Sequence, residues 1–117
     1  MIEVKSLVKK YGSNLVVDDL SFTMEKGHIY GLLGPNGAGK STTMNMMTGF
    51  LGATSGSVTI DGFEIFKDAR KAKRLIGYLP EIPPVYPDMT VEEYLGFVCE
   101  LKEMKGRKNR KEEALRV

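Results

Sequence analysis

Eight residues at positions 34–41, Gly-Pro-Asn-Gly-Ala-Gly-Lys-Ser, combine residue types that bind phosphate. Glycines let backbone amides approach the oxygens of a polyphosphate without steric conflict, and a following helix adds the positive end of its dipole. Lys40 supplies a mobile cation for the β and γ phosphates, the Ser41 hydroxyl is a ligand for Mg²⁺, and Thr42 can bond the α phosphate. The spacing therefore predicts a loop that binds a nucleoside triphosphate with magnesium, and we call residues 34–41 the phosphate loop.

A phosphate loop must be positioned by a strand before it and a helix after it. Residues 29–33, Ile-Tyr-Gly-Leu-Leu, are an almost unbroken apolar run, which predicts a strand buried on both faces. Residues 42–48 contain no helix breaker and Gly49 follows them, which predicts a short helix with a glycine stop. Strand, loop and helix are therefore expected in the required order.

Two patterns predict further strands on either side of this unit. Leu20, Phe22 and Met24 alternate with polar residues at period two, which puts them on one face of a sheet. Residues 56–66 place an Asp-Gly pair between two short runs of strand formers, a pattern typical of a hairpin. Asp61 of this pair has a second interpretation, as a Mg²⁺ ligand at the end of a strand. The glycine after it and its short distance in sequence from the phosphate loop favour the turn.

The remaining sequence predicts one more strand and then helix. Residues 74–81 are typical of a strand that a proline ends, leaving Glu81 exposed. Thr90 and Glu93 have the spacing of a capping box, in which each side chain bonds the other residue's backbone amide, so a helix is predicted to begin there. Basic residues alternate with glutamates over residues 102–116, which is typical of a solvated helix face rather than of a nucleic-acid surface.

Length and composition restrict the possible classes of protein. The 117 residues allow one domain at most, with 42% hydrophobic and 27% charged residues as in ordinary globular proteins. A formal charge of +2 is too small to predict a nucleic-acid-binding surface. The absence of a long apolar stretch predicts a cytoplasmic chain. The single cysteine, Cys99, lies on a helical apolar stripe, where packing is the expected role.

Three motifs in order resemble the nucleotide-binding domain of ATP-binding cassette (ABC) transporters. The variable positions of the phosphate loop are typical of that family, Lys10-Tyr11-Gly12 looks like its adenine-stacking aromatic loop, and residues 76–80 look like the approach to its glutamine loop. The resemblance implies an α/β fold: a parallel core of the P-loop NTPase type, an N-terminal antiparallel β-sheet and the start of a helical subdomain. Residues 1–89 would belong to the ATP-binding core and residues 90–117 to the helical subdomain.

The resemblance also implies roles for individual residues. Tyr11 would stack on adenine, with covering of the sheet as the alternative, and Val17 or its neighbour Val16 would supply an apolar edge beside the base. Glu81 departs from the family, which usually has glutamine there to reach Mg²⁺ and the attacking water. A carboxylate can still ligate Mg²⁺, but it adds negative charge near the γ phosphate. The expected nucleotide-binding residues are Tyr11, Val17, Gly34, Pro35, Asn36, Gly37, Ala38, Gly39, Lys40, Ser41 and Thr42, and the expected metal ligands are Ser41 and Glu81.

Other family motifs have no match in residues 1–117: the Leu-Ser-Gly-Gly-type signature, the second Walker strand ending in Asp-Glu, and the late switch histidine. We therefore expect an incomplete domain that binds ATP and Mg²⁺ but hydrolyses ATP poorly or not at all. The resemblance implies a parent ATPase on the inner face of the cell membrane that drives transport through a permease together with a second nucleotide-binding domain. Two alternatives are a soluble cassette ATPase acting on ribosomes or DNA, and a non-catalytic nucleotide-binding module.

Overall fold

Strands β1 (Ile2–Tyr11) and β2 (Asn14–Met24) pair antiparallel in the computed structural model, which describes residues 1–116. Gly12 lies in the two-residue turn between them with φ of +60°, a conformation that glycine adopts without strain. The alternation predicted for β2 is confirmed, because Leu20, Phe22 and Met24 are half-buried while the residues between them are exposed.

Strands β3 (Ser55–Ile60) and β4 (Phe63–Glu64) complete a four-stranded antiparallel sheet in the order β2-β1-β3-β4. The turn between them is the predicted Asp-Gly hairpin. Asp61 has φ of +46° and Gly62 has φ of +84°, so both central residues are left-handed, as a two-residue hairpin turn with the sheet's own twist requires.

Helix α1 (Lys40–Met47) includes the last two residues of the phosphate loop and begins two residues earlier than predicted. It ends where the glycine stop was expected, since Gly49 has φ of +74°. A Cβ on Gly49 would lie 2.9 Å from Ile65 Cγ1 and 2.8 Å from Lys73 Cε. Only a glycine fits there without displacing its neighbours.

The core lies between α1, the sheet and a second short helix, α2 (Ala69–Arg74). Met46 and Met47 of α1 are buried in it, which agrees with the gap-filling role expected of methionine. The nine residues of the buried cluster are Val4, Leu7, Val17, Met46, Met47, Val58, Ile60, Ile65 and Ala72. The phosphate loop therefore rests on a packed base.

Two predicted strands are wrong for the described residues. Residues 29–33 have no regular secondary structure, and Ile29 and Leu33 are 103% and 92% exposed. Residues 74–81 are not a strand either, since α2 ends at Arg74 and the chain continues without regular structure. A strand requires hydrogen-bonding neighbours as well as an apolar sequence, and no described residue pairs with either run.

The chain from Leu79 onward forms a compact unit separate from Met1–Tyr78. It contains helices α3 (Val91–Leu101) and α4 (Arg107–Leu115). No helix in residues 1–116 is long and apolar enough to cross a bilayer. The division into residues 1–89 and 90–117 stays a prediction.

The start of α3 confirms the predicted capping box. The Glu93 amide donates to the Thr90 hydroxyl oxygen at 3.2 Å, and the Thr90 amide donates to Glu93 Oε2 at 2.8 Å.

Cys99 is unpaired and 7% exposed, in agreement with its expected packing role. Phe97 packs edge-on against Tyr86, with ring centroids 5.5 Å apart.

Candidate functional site

The phosphate loop adopts backbone conformations that only glycine takes readily. The Ala38 amide donates to the Pro35 carbonyl at 3.1 Å, which forms a tight turn. Gly37 and Gly39 have φ of +85° and +89°. Left-handed residues in a short loop turn neighbouring backbone N–H groups towards one side, which creates a concave surface for an anion.

Gly39 seats the loop directly on strand β2. A Cβ at this position would lie 2.7 Å from the Val16 carbonyl oxygen and 3.3 Å from Val17 Cγ2. At Gly37, by contrast, an added Cβ would meet nothing within 4 Å. The two glycines therefore serve different needs: Gly37 supplies only a backbone conformation, and Gly39 supplies close approach as well.

Backbone amides at the start of α1 are open to a ligand. The Thr43 amide and hydroxyl both donate to the Gly39 carbonyl, at 2.9 and 2.8 Å, so the first helical turn is fixed there. In residues 1–116, no backbone carbonyl accepts from the amides of residues 40–42. These donors and the helix dipole attract negative charge. Ser41 is exposed and Thr42 is half-buried at the same helix end.

The Lys40 side chain lies over the first residue of the phosphate loop. The Lys40 ammonium donates to the Gly34 carbonyl. A Cβ on Gly34 would lie 3.3 Å from Ala38 Cβ and 3.7 Å from Lys40 Cδ. An ammonium group has three donors, so it can keep the carbonyl and still donate to phosphate oxygens. The structure therefore brings the lysine and the open amides to one short segment.

Tyr11 ends β1 and is 52% exposed. The Lys9 ammonium lies 5.0 Å from the centroid of its ring, and the same nitrogen donates to the Gly52 carbonyl at 2.8 Å. Lys9 was not among the residues predicted for the site. The signal was present, because residues two apart on a strand share a face.

The surroundings of Val17 and Glu81 do not test the roles predicted for them. Val17 is 5% exposed and belongs to the buried cluster beneath the phosphate loop, so its contact with a base stays a prediction. Glu81 is exposed in the second unit, and its contact with Mg²⁺ also stays a prediction.

Asp61 has its own partners in the turn between β3 and β4. Its carboxylate accepts from the terminal ammonium of Met1 and lies 3.3 Å from the Lys26 ammonium. These two contacts, the Met1 hydrogen bond first, hold the pKa of Asp61 below its usual value. The carboxylate is thus paired with two cationic groups, and the left-handed φ of Asp61 and Gly62 supports the turn interpretation.

Comparison with known proteins adds sequence relationships to this geometry. A family model described as ABC transporter matches residues 17–116. The linearmycin resistance ATP-binding protein LnrL of Bacillus subtilis (strain 168) is 43% identical over 97 residues. That alignment covers 83% of this chain and 31% of LnrL, so the chain spans about a third of this relative's length.

Solved structures show the same fold. An ATP-binding subunit of an ABC transporter superposes with a TM-score of 0.83 at 31% identity, over 91% of this chain and 44% of that one. A dimeric ATP-binding cassette in a post-hydrolysis state with ADP and Pi superposes with a TM-score of 0.79 at 25% identity, over 99% and 56%. The predicted fold class is confirmed: the N-terminal antiparallel sheet and the helices are those of a partial cassette ATPase domain.

Proposed function

Since the chain belongs to the ABC transporter family, we propose that it binds ATP and Mg²⁺ at the phosphate loop and forms the ATP-binding part of a transport ATPase. The observation that carries this proposal is the start of α1. There, among the described residues, no backbone carbonyl accepts from the amides of residues 40–42, and these amides and the Lys40 side chain lie beside Gly39, which packs closely on β2. Few ligands other than a polyphosphate need so many donors within so short a segment.

Each part of the loop has a distinct role in holding the nucleotide. The amides of residues 40–42 and the positive end of α1 bind phosphate oxygens without any change of side-chain charge. Lys40 neutralises charge on the β and γ phosphates while its flexible stem lets it follow them. Its contact with Gly34 keeps the ammonium at the loop before ligand arrives, which reduces the entropy lost on binding.

The residues present fit a magnesium ion shared with the nucleotide. In the described part of the chain, no three His, Cys, Asp or Glu side chains are grouped to hold a metal. Mg²⁺ usually takes one or two protein ligands together with phosphate oxygens and water, and the exposed Ser41 hydroxyl suits that arrangement. The ion would neutralise phosphate charge when bound. Glu81 is the second candidate ligand that we propose.

We propose that Tyr11 binds the adenine ring. A half-exposed aromatic ring at a strand end offers a face on which a base can stack, with a contribution of about 1 to 3 kcal/mol. Val17, which lies in the core, or its half-buried neighbour Val16 would supply the apolar edge beside the base. Specificity for the base would then come from residues of β1 and β2, whereas affinity for the nucleotide would come from the phosphate loop.

For the whole protein we propose ATP hydrolysis coupled to membrane transport. A relative named for linearmycin resistance and a solved structure of a transporter subunit support this function. The partners would be a transmembrane permease and a second nucleotide-binding domain, since a related cassette is a dimer with ADP and Pi. The chain would then lie at the cytoplasmic face of the membrane, without nucleic acid as a partner.

Titration calorimetry with Mg-ATP tests the binding proposal. Lys40→Ala should weaken binding at least tenfold, because a charge-assisted contact contributes about 1.5 to 3 kcal/mol. Lys67→Ala is the matched control, since it removes an equal charge from an exposed position outside the loop and should leave affinity unchanged. Equal affinities of the wild-type chain and Lys40→Ala would overturn the proposed site.

A further inference from the structure

We infer that Lys9 is a positioning residue that holds the Tyr11 ring ready for the base. The inference rests on the proposed function, because it assumes that Tyr11 stacks on adenine. Lys9 and Tyr11 lie on the same strand two residues apart, and the Lys9 ammonium is 5.0 Å from the ring centroid. This distance is within the range in which a cation is attracted to the face of an aromatic ring.

A second contact makes this arrangement more than a loose surface pair. The Lys9 ammonium also donates to the Gly52 carbonyl at 2.8 Å. Gly52 lies in the segment between α1 and β3, 43 residues from Lys9 in sequence. The nearby Thr54 amide donates to the Val8 carbonyl at 2.9 Å, and the Lys10 amide donates to the Thr54 hydroxyl at 2.9 Å. The lysine is therefore anchored to a segment that is itself bonded to β1.

This anchoring has a direct consequence for the ring. An ammonium group over one face of Tyr11 restricts the ring and occupies that face, so a base must stack on the opposite one. A ring that is held in place before binding loses less conformational entropy when the base arrives. Lys9 would thus increase affinity for the base without touching the nucleotide.

The test compares base-containing and base-free ligands. Calorimetry with Mg-ATP and with Mg-tripolyphosphate is carried out on the wild-type chain, Lys9→Met, Lys9→Arg and Tyr11→Ala. Lys9→Met keeps the apolar stem and removes the charge. It should weaken the binding of ATP about three- to fivefold, while the affinity for tripolyphosphate stays the same. Lys9→Arg should restore ATP affinity, because a guanidinium also binds an aromatic face and a carbonyl.

A double mutant separates positioning from other effects. In a Tyr11→Ala background, Lys9→Met should have no further effect on ATP, since the ring through which it acts is gone. Lys5→Met is the control for loss of an exposed positive charge elsewhere on β1, and it should leave both affinities unchanged. Equal weakening of ATP and tripolyphosphate by Lys9→Met would mean that the lysine binds phosphate or supports the fold, and would overturn the inference.

A readout without nucleotide distinguishes failure of this inference from failure of the proposed function. In NMR spectra of the free chain, nuclear Overhauser contacts should join the Lys9 ε protons to the Tyr11 ring, and Lys9→Met should change the chemical shifts of that ring. Their presence in a chain that binds neither ATP nor tripolyphosphate would refute the proposed function while leaving the Lys9–Tyr11 contact established. Their absence would overturn the positioning role directly.

Discussion

The Val16 carbonyl oxygen faces Gly39 so closely that a Cβ on Gly39 would lie 2.7 Å from it. Gly39→Ala must therefore move the phosphate loop away from β2 and also hold an alanine at φ of +89°. We expect a loss of about 3 kcal/mol in the free energy of unfolding and a loss of Mg-ATP binding. Denaturant titration and calorimetry measure the two effects.

Gly37 provides the matched control for this substitution. Its φ of +85° is nearly the same, but its surroundings are open. Gly37→Ala should cost only the backbone strain, about 1 kcal/mol. Equal destabilisation by the two substitutions would show that the close contact at Val16 has no energetic weight.

The capping box at the start of α3 should respond to chemically graded substitutions. Thr90→Ala removes the acceptor for the Glu93 amide and should destabilise the helix by about 1 kcal/mol, whereas Thr90→Ser should be nearly neutral. Amide hydrogen exchange in the first turn of α3 reports this change. Exchange that is equally slow in the alanine and serine variants would contradict the prediction.

Asp61 should make the free energy of unfolding depend on pH under acidic conditions. Its folded-state pKa is lowered by the Met1 hydrogen bond and by Lys26, so its contribution is fully present above the ordinary aspartate pKa of 3.8. The contribution is lost as pH falls through the lower folded-state value. The stability difference between wild type and Asp61→Asn should therefore shrink below about pH 4. Thermal unfolding between pH 2.5 and 7 measures it, and a difference that grows as pH falls would contradict this sign.

ATP turnover by this chain should equal that of Lys40→Ala. The residues that the family uses to polarise water and to close over the γ phosphate have no counterpart in the printed sequence. Phosphoryl transfer depends mainly on positioning and charge stabilisation, so a phosphate loop without them binds nucleotide and adds little rate. A phosphate-release assay at saturating Mg-ATP compares the two. Release clearly above the Lys40→Ala background would refute this prediction.

The exposed apolar run at residues 29–33 should cause self-association. Ile29 and Leu33 are almost fully exposed on a segment without a strand partner among the described residues, and such an unpartnered apolar segment can associate with another chain. Light scattering after size-exclusion chromatography should give a mass above that of the monomer, and Leu33→Asn should lower it. A monodisperse monomer with a high melting temperature that Mg-ATP leaves unchanged would contradict this expectation.

Local patterns in the sequence predicted local structure well. The turn at Asp61 and the box at Thr90 were found where expected, because the strand pair Ile60–Phe63 at the turn and the hydrogen-bonded pair Thr90–Glu93 each join residues three apart. The glycine stop of α1 is local in the same sense. The alternation of Leu20, Phe22 and Met24 predicted strand β2, since one buried face imposes a period of two, whereas the antiparallel sheet as a whole was implied by the family resemblance.

Long-range contacts were not predictable in the same way. Residues 29–33 have the composition of a buried strand, but composition does not say whether backbone partners are present. The contact between Gly39 and Val16 joins parts of the chain that only the folded backbone brings together. At the candidate site, residue types and loop spacing identified Lys40, but not that its ammonium bonds the Gly34 carbonyl.

Helix α1 is held at both ends, by Gly39 against Val16 at its start and by Gly49 against Ile65 just after its last turn. Because its backbone packs closely at both ends, we expect α1 not to tilt independently, and movement of its first turn should be coupled to β2 and to the segment after β4. The flexible part of the candidate site is then the short segment from residue 34 to residue 38. Opening and closing for nucleotide exchange should therefore follow loop timescales, nanoseconds to microseconds, rather than the slower timescale of a moving domain.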